Sequence, residues 1–385
     1  MRKGLFPTGK WRSTDHLGHH VPKQPAGRPA KSFGDRFIIN HKHEVIYMKN
    51  ICFKAAVSLT AIQFAFAGHP VIRTIGTIYR DHPEISRLIP EDAVIEVVAE
   101  GFDWSEGPVW IKDRDCLLFN DIPQNTTYEW SEQNGLTVFL RPAGYALGEN
   151  PPGRELGCNG MFIHPVSQQL VLCDHGNRCI DALNQKNWTK SIVADRYEGK
   201  RLNSPNDLVI SSTGHIYFTD PPYGLTWPDF PGKELDFSGV YHYSPDSTVI
   251  LVTRELDRPN GIGLSPDGRT LYVANSGKRK VWLAFDVAKD GTTGKSRVFF
   301  DATDFDRTGL LGGCDGLAVD AAGNLWATGP GGVMILTPDG RHIGSIDTGT
   351  RVSNCCFGGP QGNELYITAE LFVCRVKVNT RGIGF

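Results

Sequence analysis

From about residue 105 onward, apolar and polar positions alternate in short runs, each broken by Gly, Pro, Asp or Asn. Period-two runs bounded by turn formers predict half-buried strands. The segment Pro259-Asn260-Gly-Ile-Gly-Leu-Ser-Pro-Asp267-Gly268-Arg-Thr-Leu-Tyr-Val-Ala-Asn275 reads as strand, Asp-Gly turn, strand. The same form recurs at Ser105–Asn120, Cys158–Cys173, Pro205–Asp220, Cys314–Thr328 and Ser353–Thr368. The polar residues that open these units are Glu106, Asn159, Asn206, Asn260, Asp315 and Asn354. Further strand-like runs follow most units, such as Lys280–Asp286 and Gly332–Thr337. A unit of several strands repeated every 40–55 residues or so is the pattern of a β-propeller blade. The expected fold is therefore all-β, a six-bladed β-propeller, and 68–385 is one domain. Residues near 70–90 should form a lead-in. Strand-forming Ala93–Val98 should pair with Phe372–Val378 to close the ring, leaving no long free sheet edge.

The first 67 residues break this pattern. Residues 1–47 are rich in Pro, Gly, His and basic groups and show little apolar periodicity. Met48 then opens a stretch with Lys49 and Lys54, an apolar run from Ala55, and the small-x-small sequence Ala65-Phe66-Ala67. Charge, apolar run and cleavage site in this order describe a secretory signal over 48–67. On that reading Met48 is the true start, 1–47 is untranslated or disordered upstream sequence, and the mature protein is periplasmic or secreted. N-terminal sequencing of the exported protein should begin near Gly68, whereas retention of residues 1–47 would refute the assignment.

Charge follows the same division. The formal net charge of −2 conceals +6 in residues 1–47 and +2 in 48–67, so the body carries −10. An acidic body argues against nucleic acid or an anionic membrane surface as partner and suits cation binding. No apolar run is long enough for a multi-span membrane protein. Of the cysteines, Cys173 and Cys179 flank a short turn and could bridge two strands after export, although small buried thiols are the favoured reading. The cysteine spacing does not match a zinc finger.

The chemistry is expected where the blades meet. The innermost strand of every blade lines the central channel, so the six opening residues converge at one end of it. The second strand returns to that face, bringing Asp121, Asp174 with His175, Asp220, Asn275, Thr328 and Glu370. Turn capping explains an Asn or Asp at one strand start but not the convergence of several. Two carboxylates and several amides without an obvious cation require a partner. An all-oxygen donor set suits Ca²⁺ first, then Mg²⁺ or Mn²⁺, with Zn²⁺ reachable through the carboxylates.

The motifs Glu106-Gly-Pro-Val-Trp, Ser204-Pro-Asn206-Asp207, Phe218-Thr-Asp220-Pro-Pro-Tyr223-Gly224, Pro259-Asn260-Gly261, Cys314-Asp315-Gly316 and Cys355-Cys356-Phe-Gly-Gly359 resemble the gluconolactonase family that includes senescence marker protein 30 (regucalcin). The resemblance runs from about residue 95 to 378 and is nearest to the bacterial gluconolactonase branch. It implies a six-bladed propeller with a divalent metal in its channel that hydrolyses sugar lactones. It places the metal ligands on Glu106, Asn206, Asn260 and Asp315, with Asp315 also the proton donor and acceptor. In the regucalcin branch an arginine two residues before the middle asparagine holds the sugar. Here Ser204 stands there and Arg201 is out of register.

The expected mechanism is metal-assisted opening of a sugar lactone, with Asp315 moving the proton. Asn159, His175, Asp207, Asp220 and Tyr223 are the candidate substrate contacts. Two competing readings are an organophosphate or aryl-ester hydrolase on the same ring, and a non-enzymatic module whose calcium ion only plugs the channel.

Overall fold

Each blade begins with a tight hairpin whose turn chemistry is visible in the repeats. Between Pro259–Leu264 and Thr270–Asn275, Gly268 adopts φ 66°, a conformation that costs glycine little. Its amide donates to the Ser265 carbonyl at 2.8 Å, and the Ser265 hydroxyl donates to Asp267 at 2.6 Å. The register Leu264↔Leu271 follows. In this computed structural model, residues 72–146, 153, 155–306 and 308–385 are described. The expected signal at 48–67 and the segment before it lie outside the described residues.

Six antiparallel blade sheets follow one another along the chain, with a separate two-stranded sheet of Arg196–Tyr197 and Lys200–Arg201 among the described residues, and the first strand of each repeat is innermost. Their inner strands are Ser105–Ile111, Cys158–Ile163, Leu208–Ile210, Pro259–Leu264, Leu317–Val319 and Asn354–Gly358. Each packs against the next, and the last packs against the first, so the sheets form the expected six-bladed ring around a channel. The sixth blade has only three strands from the C-terminal part of the chain. Its fourth is Ile95–Glu100, paired with Phe372–Lys377 through Phe372↔Glu100 and Arg375↔Glu96. Closure thus occurs where the alternating patterns at both ends of the domain anticipated it. Among the described residues, helix is confined to Thr303–Asp306 and two short 3-10 turns.

The lead-in does more than connect. Thr74–Ile75 pairs with Ile95–Glu100, and Thr77–Tyr79 pairs with His342–Asp347. It therefore covers the outer edges of the sixth and fifth blades. Between blades, alternate strand faces supply aromatic and aliphatic wedges. Trp282, Trp326, Tyr217, Tyr366 and Phe119 are fully buried there.

Cys173 and Cys179 are both free thiols, as are the other cysteines of the described residues. The register pairs Ile180 with Cys173 and Cys179 with Asp174. Cys173 and Cys179 are thus one residue out of step and point to opposite faces of the sheet, so the alternative of a bridge is not realised and the favoured reading of buried thiols holds. Cys173 packs instead with Val171, Phe218 and Tyr241 in the apolar layer between blades.

Candidate active site in the central channel

All six opening residues meet at one end of the channel. Asn159 Nδ2 donates to Asn206 Oδ1 at 2.9 Å, and Asn206 Nδ2 donates to Asn260 Oδ1 at 2.6 Å. Asn260 hydrogen-bonds Asp315, and Asn354 hydrogen-bonds both Glu106 and Asp207. Glu106, Asn159, Asn206, Asn260 and Asn354 are buried, while Asp315 is only partly so. The ring therefore opens to solvent beside Asp315.

Close convergence has a backbone requirement. The residue after the ring position is Gly107, Gly160, Gly261 or Gly316 in four blades. A Cβ on each would overlap the next blade: the Asn159 carbonyl, Asp207, the Asp315 carbonyl and the Asn354 side chain respectively. Gly261→Ala should displace the Asp315 carbonyl and cost about 1–3 kcal/mol, as overpacking does. Thermal unfolding measures this, and an unchanged melting temperature would show that the neighbouring blade yields freely. In the third blade Asp207 replaces glycine and adds a carboxylate to the channel. Its Oδ1 accepts from the Leu208 amide at 2.9 Å.

Residues at the ends of the second strands return to this face, but most face away from the ring opening. Asp220 accepts from the amides of Asn203 and Ser204, both at 2.8 Å. Asp121 accepts likewise from Asp103 and Trp104, at 3.0 and 3.2 Å. Asn275 accepts from the Arg258 amide at 3.0 Å. The Thr328 hydroxyl accepts from the Asp315 amide at 3.2 Å. These four side chains fix the backbone at or just before Glu106, Asn206, Asn260 and Asp315. Asp220, expected to contact substrate, has both oxygens engaged in that task.

Tyr223 and His175 have different surroundings. Tyr223 hydrogen-bonds Ser276 and Arg258 and lies in the field of Asp315. Burial first, then that carboxylate, pushes its phenol up to about 12. Its turn is held in place by Ser204, whose hydroxyl donates to the Pro221 carbonyl at 2.6 Å and accepts from Gly224 at 2.9 Å. His175 lies against Gly224, with Nδ1 3.1 Å from Glu155. Its Nε2 is buried without a hydrogen-bond partner.

The electrostatics call for a cation. Burial pushes the Glu106 carboxyl up to about 8, with the Gly107 amide opposing and the Asp207 charge adding. Burial also pushes Asp207 up to about 7. Asp315 is raised well above the carboxylate range by burial and by the charges of Glu106 and Asp207. Asn159 Oδ1 is buried with no donor. Together these groups form an oxygen-only cage of orphaned and mutually repelling atoms, which fits a hard divalent ion. Each ring amide oxygen that accepts one N–H keeps a second lone pair for it.

A second acidic group, Asp174 with Cys179 and Asp181, lies in the second blade. Lys190 Nζ is 2.8 Å from Asp174 and 3.4 Å from Asp181, so a lysine already supplies the charge there. Below the ring the channel holds a mainly apolar cavity of about 610 Å³. A hollow of about 900 Å³ lies at the opposite face, bounded by Trp110, Lys112 and Arg381, and it contains no Asp, Glu or His. Neither cavity rivals the ring as a reactive site.

The comparisons with known proteins agree with this geometry. Residues 104–370 match the SMP-30/Gluconolactonase/LRE-like region. The chain is 41% identical over 318 residues to a gluconolactonase of Zymomonas mobilis, covering 80% of this chain and 88% of that one. It is 26% identical over 285 residues to the pentonolactonase XacC of Haloferax volcanii, covering 71% and 84%. A solved structure from Xanthomonas campestris, described as a gluconolactonase, superposes with a TM-score of 0.67 at 30% identity, over 80% of this chain and 99% of that one. By its repeats, its ring and these matches, the chain belongs to the SMP-30/gluconolactonase/LRE-like family.

Proposed function

We propose that the protein is a lactonase that opens a sugar lactone of the gluconolactone type at the ring end of its channel, with a divalent metal, Ca²⁺ first, as cofactor. The observation that carries the reading is the convergence of Glu106, Asp315 and four asparagines in a chain 41% identical to a gluconolactonase. Glu106, Asn206, Asn260 and Asp315 would hold the ion. When bound, it supplies Lewis acidity and lowers the pKa of water.

The chain's own groups account for the rest. Asp315, the ring carboxylate nearest solvent, would be held ionised beside the bound ion and accept the proton of the water that attacks the lactone carbonyl carbon. The bond from that carbon to the ring oxygen then breaks, and Asp315 returns the proton to the departing alkoxide. Tyr223, in the field of Asp315, and Asn159, whose Oδ1 has no donor, would bind the substrate's oxygens. Asp207 stays below the ring and holds Asn354.

A lactone panel assayed with and without chelator tests the proposal. The expected result is hydrolysis of sugar lactones that chelator abolishes and Ca²⁺, Mn²⁺ or Zn²⁺ restores. Unchanged turnover after verified removal of metal would refute the metal part alone. Absence of lactone hydrolysis by the metal-loaded protein, with aryl esters or organophosphates cleaved instead, would overturn the substrate class.

A further inference from the structure

In every blade the position two residues before the ring residue lies in the segment that leads into the inner strand. Its occupants are Trp104, Gly157, Ser204, Arg258, Gly313 and Val352. One of the six is charged, and its surroundings are unusual. The Arg258 guanidinium lies 4.9 Å from the centroid of Trp227, 5.4 Å from that of Tyr223 and 5.8 Å from that of Phe230. Trp227 meets Phe230 edge-on, with centroids 5.2 Å apart. Among the described residues no carboxylate forms an ion pair with Arg258. The aromatic faces hold the planar cation in place, and its fork of donors is left without an acid partner.

This cluster touches the reactive end of the ring. Tyr223 hydrogen-bonds Arg258 and lies in the field of Asp315. Trp227 is 57% exposed even though the guanidinium covers part of it, so an aromatic surface remains open beside the cation. A fixed fork of donors next to an open ring suits a small molecule with adjacent oxygens on one side and a C–H face on the other. A polyhydroxylated lactone has both.

We propose that Arg258 is the substrate-orienting residue of this enzyme, its guanidinium binding vicinal hydroxyls of the sugar lactone while Trp227 packs against the ring. The inference rests on the lactonase reading above. Arg258 accepts no proton and touches no bond that breaks. Its contribution is to fix the lactone carbonyl relative to Asp315, and it selects hydroxylated lactones over plain ones.

The test compares D-glucono-1,5-lactone with δ-valerolactone, which has the same ring and no hydroxyls, in wild type, Arg258→Gln, Arg258→Lys and Trp227→Ala. Arg258→Gln should lower kcat/KM for the sugar lactone about 10–100-fold, mainly through KM, as loss of hydrogen bonds from a charged donor does. Activity on δ-valerolactone should stay within about threefold. Arg258→Lys should recover part of the loss, and Trp227→Ala should shift the same ratio. An equal fall on both lactones, or no change on either, would overturn the assignment. Calorimetric binding of D-gluconate, which needs no turnover, separates this inference from the lactonase reading. If wild type hydrolyses neither lactone, the activity assignment fails. The role of Arg258 then stands if wild type binds gluconate and Arg258→Gln does not, and falls if both bind equally or neither binds.

Discussion

Asp315→Asn should lower lactone hydrolysis about 10²–10⁴-fold, the usual cost of losing a general base. The substitution keeps the size and an oxygen donor but removes the negative charge and the proton acceptor. Metal affinity should weaken as well, because one of the ring's two carboxylates, Asp315 and Glu106, is gone. Excess metal should therefore restore occupancy, read by calorimetry, without restoring turnover. Asn260→Ala provides the contrast, since it removes a donor but no base, and excess metal should recover more of its activity. Full rescue of Asp315→Asn by metal would make Asp315 a ligand only.

Arg375→Ala should destabilise the ring by about 3 kcal/mol, the lower end of the cost of breaking a buried ion pair. Arg375 sits on the last strand of the sixth blade with its side chain 10% exposed. It donates to Glu96 at 2.7 and 2.9 Å, pairs with Glu364 at 3.4 Å, and also bonds Glu132. Its guanidinium packs 5.7 Å from the Trp130 ring centroid. One side chain thus joins the closing strand, the sixth blade and the first. Removal leaves Glu96 and Glu364, which are mostly buried, facing each other without a cation, whereas Glu132 is 70% exposed and adds little. Denaturant unfolding reads the loss. A change below about 0.5 kcal/mol would mean that water replaces the network.

The number of blades, the strand that closes the ring and the six converging residues were legible because repetition amplifies weak local signals. A single Asn at a strand start says little, but polar residues at all six equivalent positions, four of them Asn, define a face. Repetition did not reveal direction. Asp220 occupies the right face, yet its oxygens turn back to the amides of Asn203 and Ser204. Spacing along a strand cannot distinguish a carboxylate that clamps a loop from one that faces a substrate. The alternative of a Cys173–Cys179 bridge stayed open in the sequence for a related reason, since a one-residue offset in register reverses the face and the sequence shows no register. Thr74–Ile75 and Thr77–Tyr79 are short edge strands, half-exposed, with too little apolar contrast to read. Arg258 left a signal that was available: alignment of the six loop positions before the ring residues isolates it.

Closure by Ile95–Glu100 also governs how the molecule comes into being. Glu96 meets Arg375 across a sequence separation of 279. Contacts of such separation fold slowly, because the entropy of the whole loop is lost before the pairing is gained. During synthesis the earlier blades can assemble in turn, but the sixth waits for the final strand. Until then Glu106 and Asp207 lack their partner Asn354, and two sheet edges stay unpaired. The closed ring is therefore the smallest unit in which catalysis can begin. Interruption near the C-terminus should yield an inactive, edge-exposed species prone to self-association.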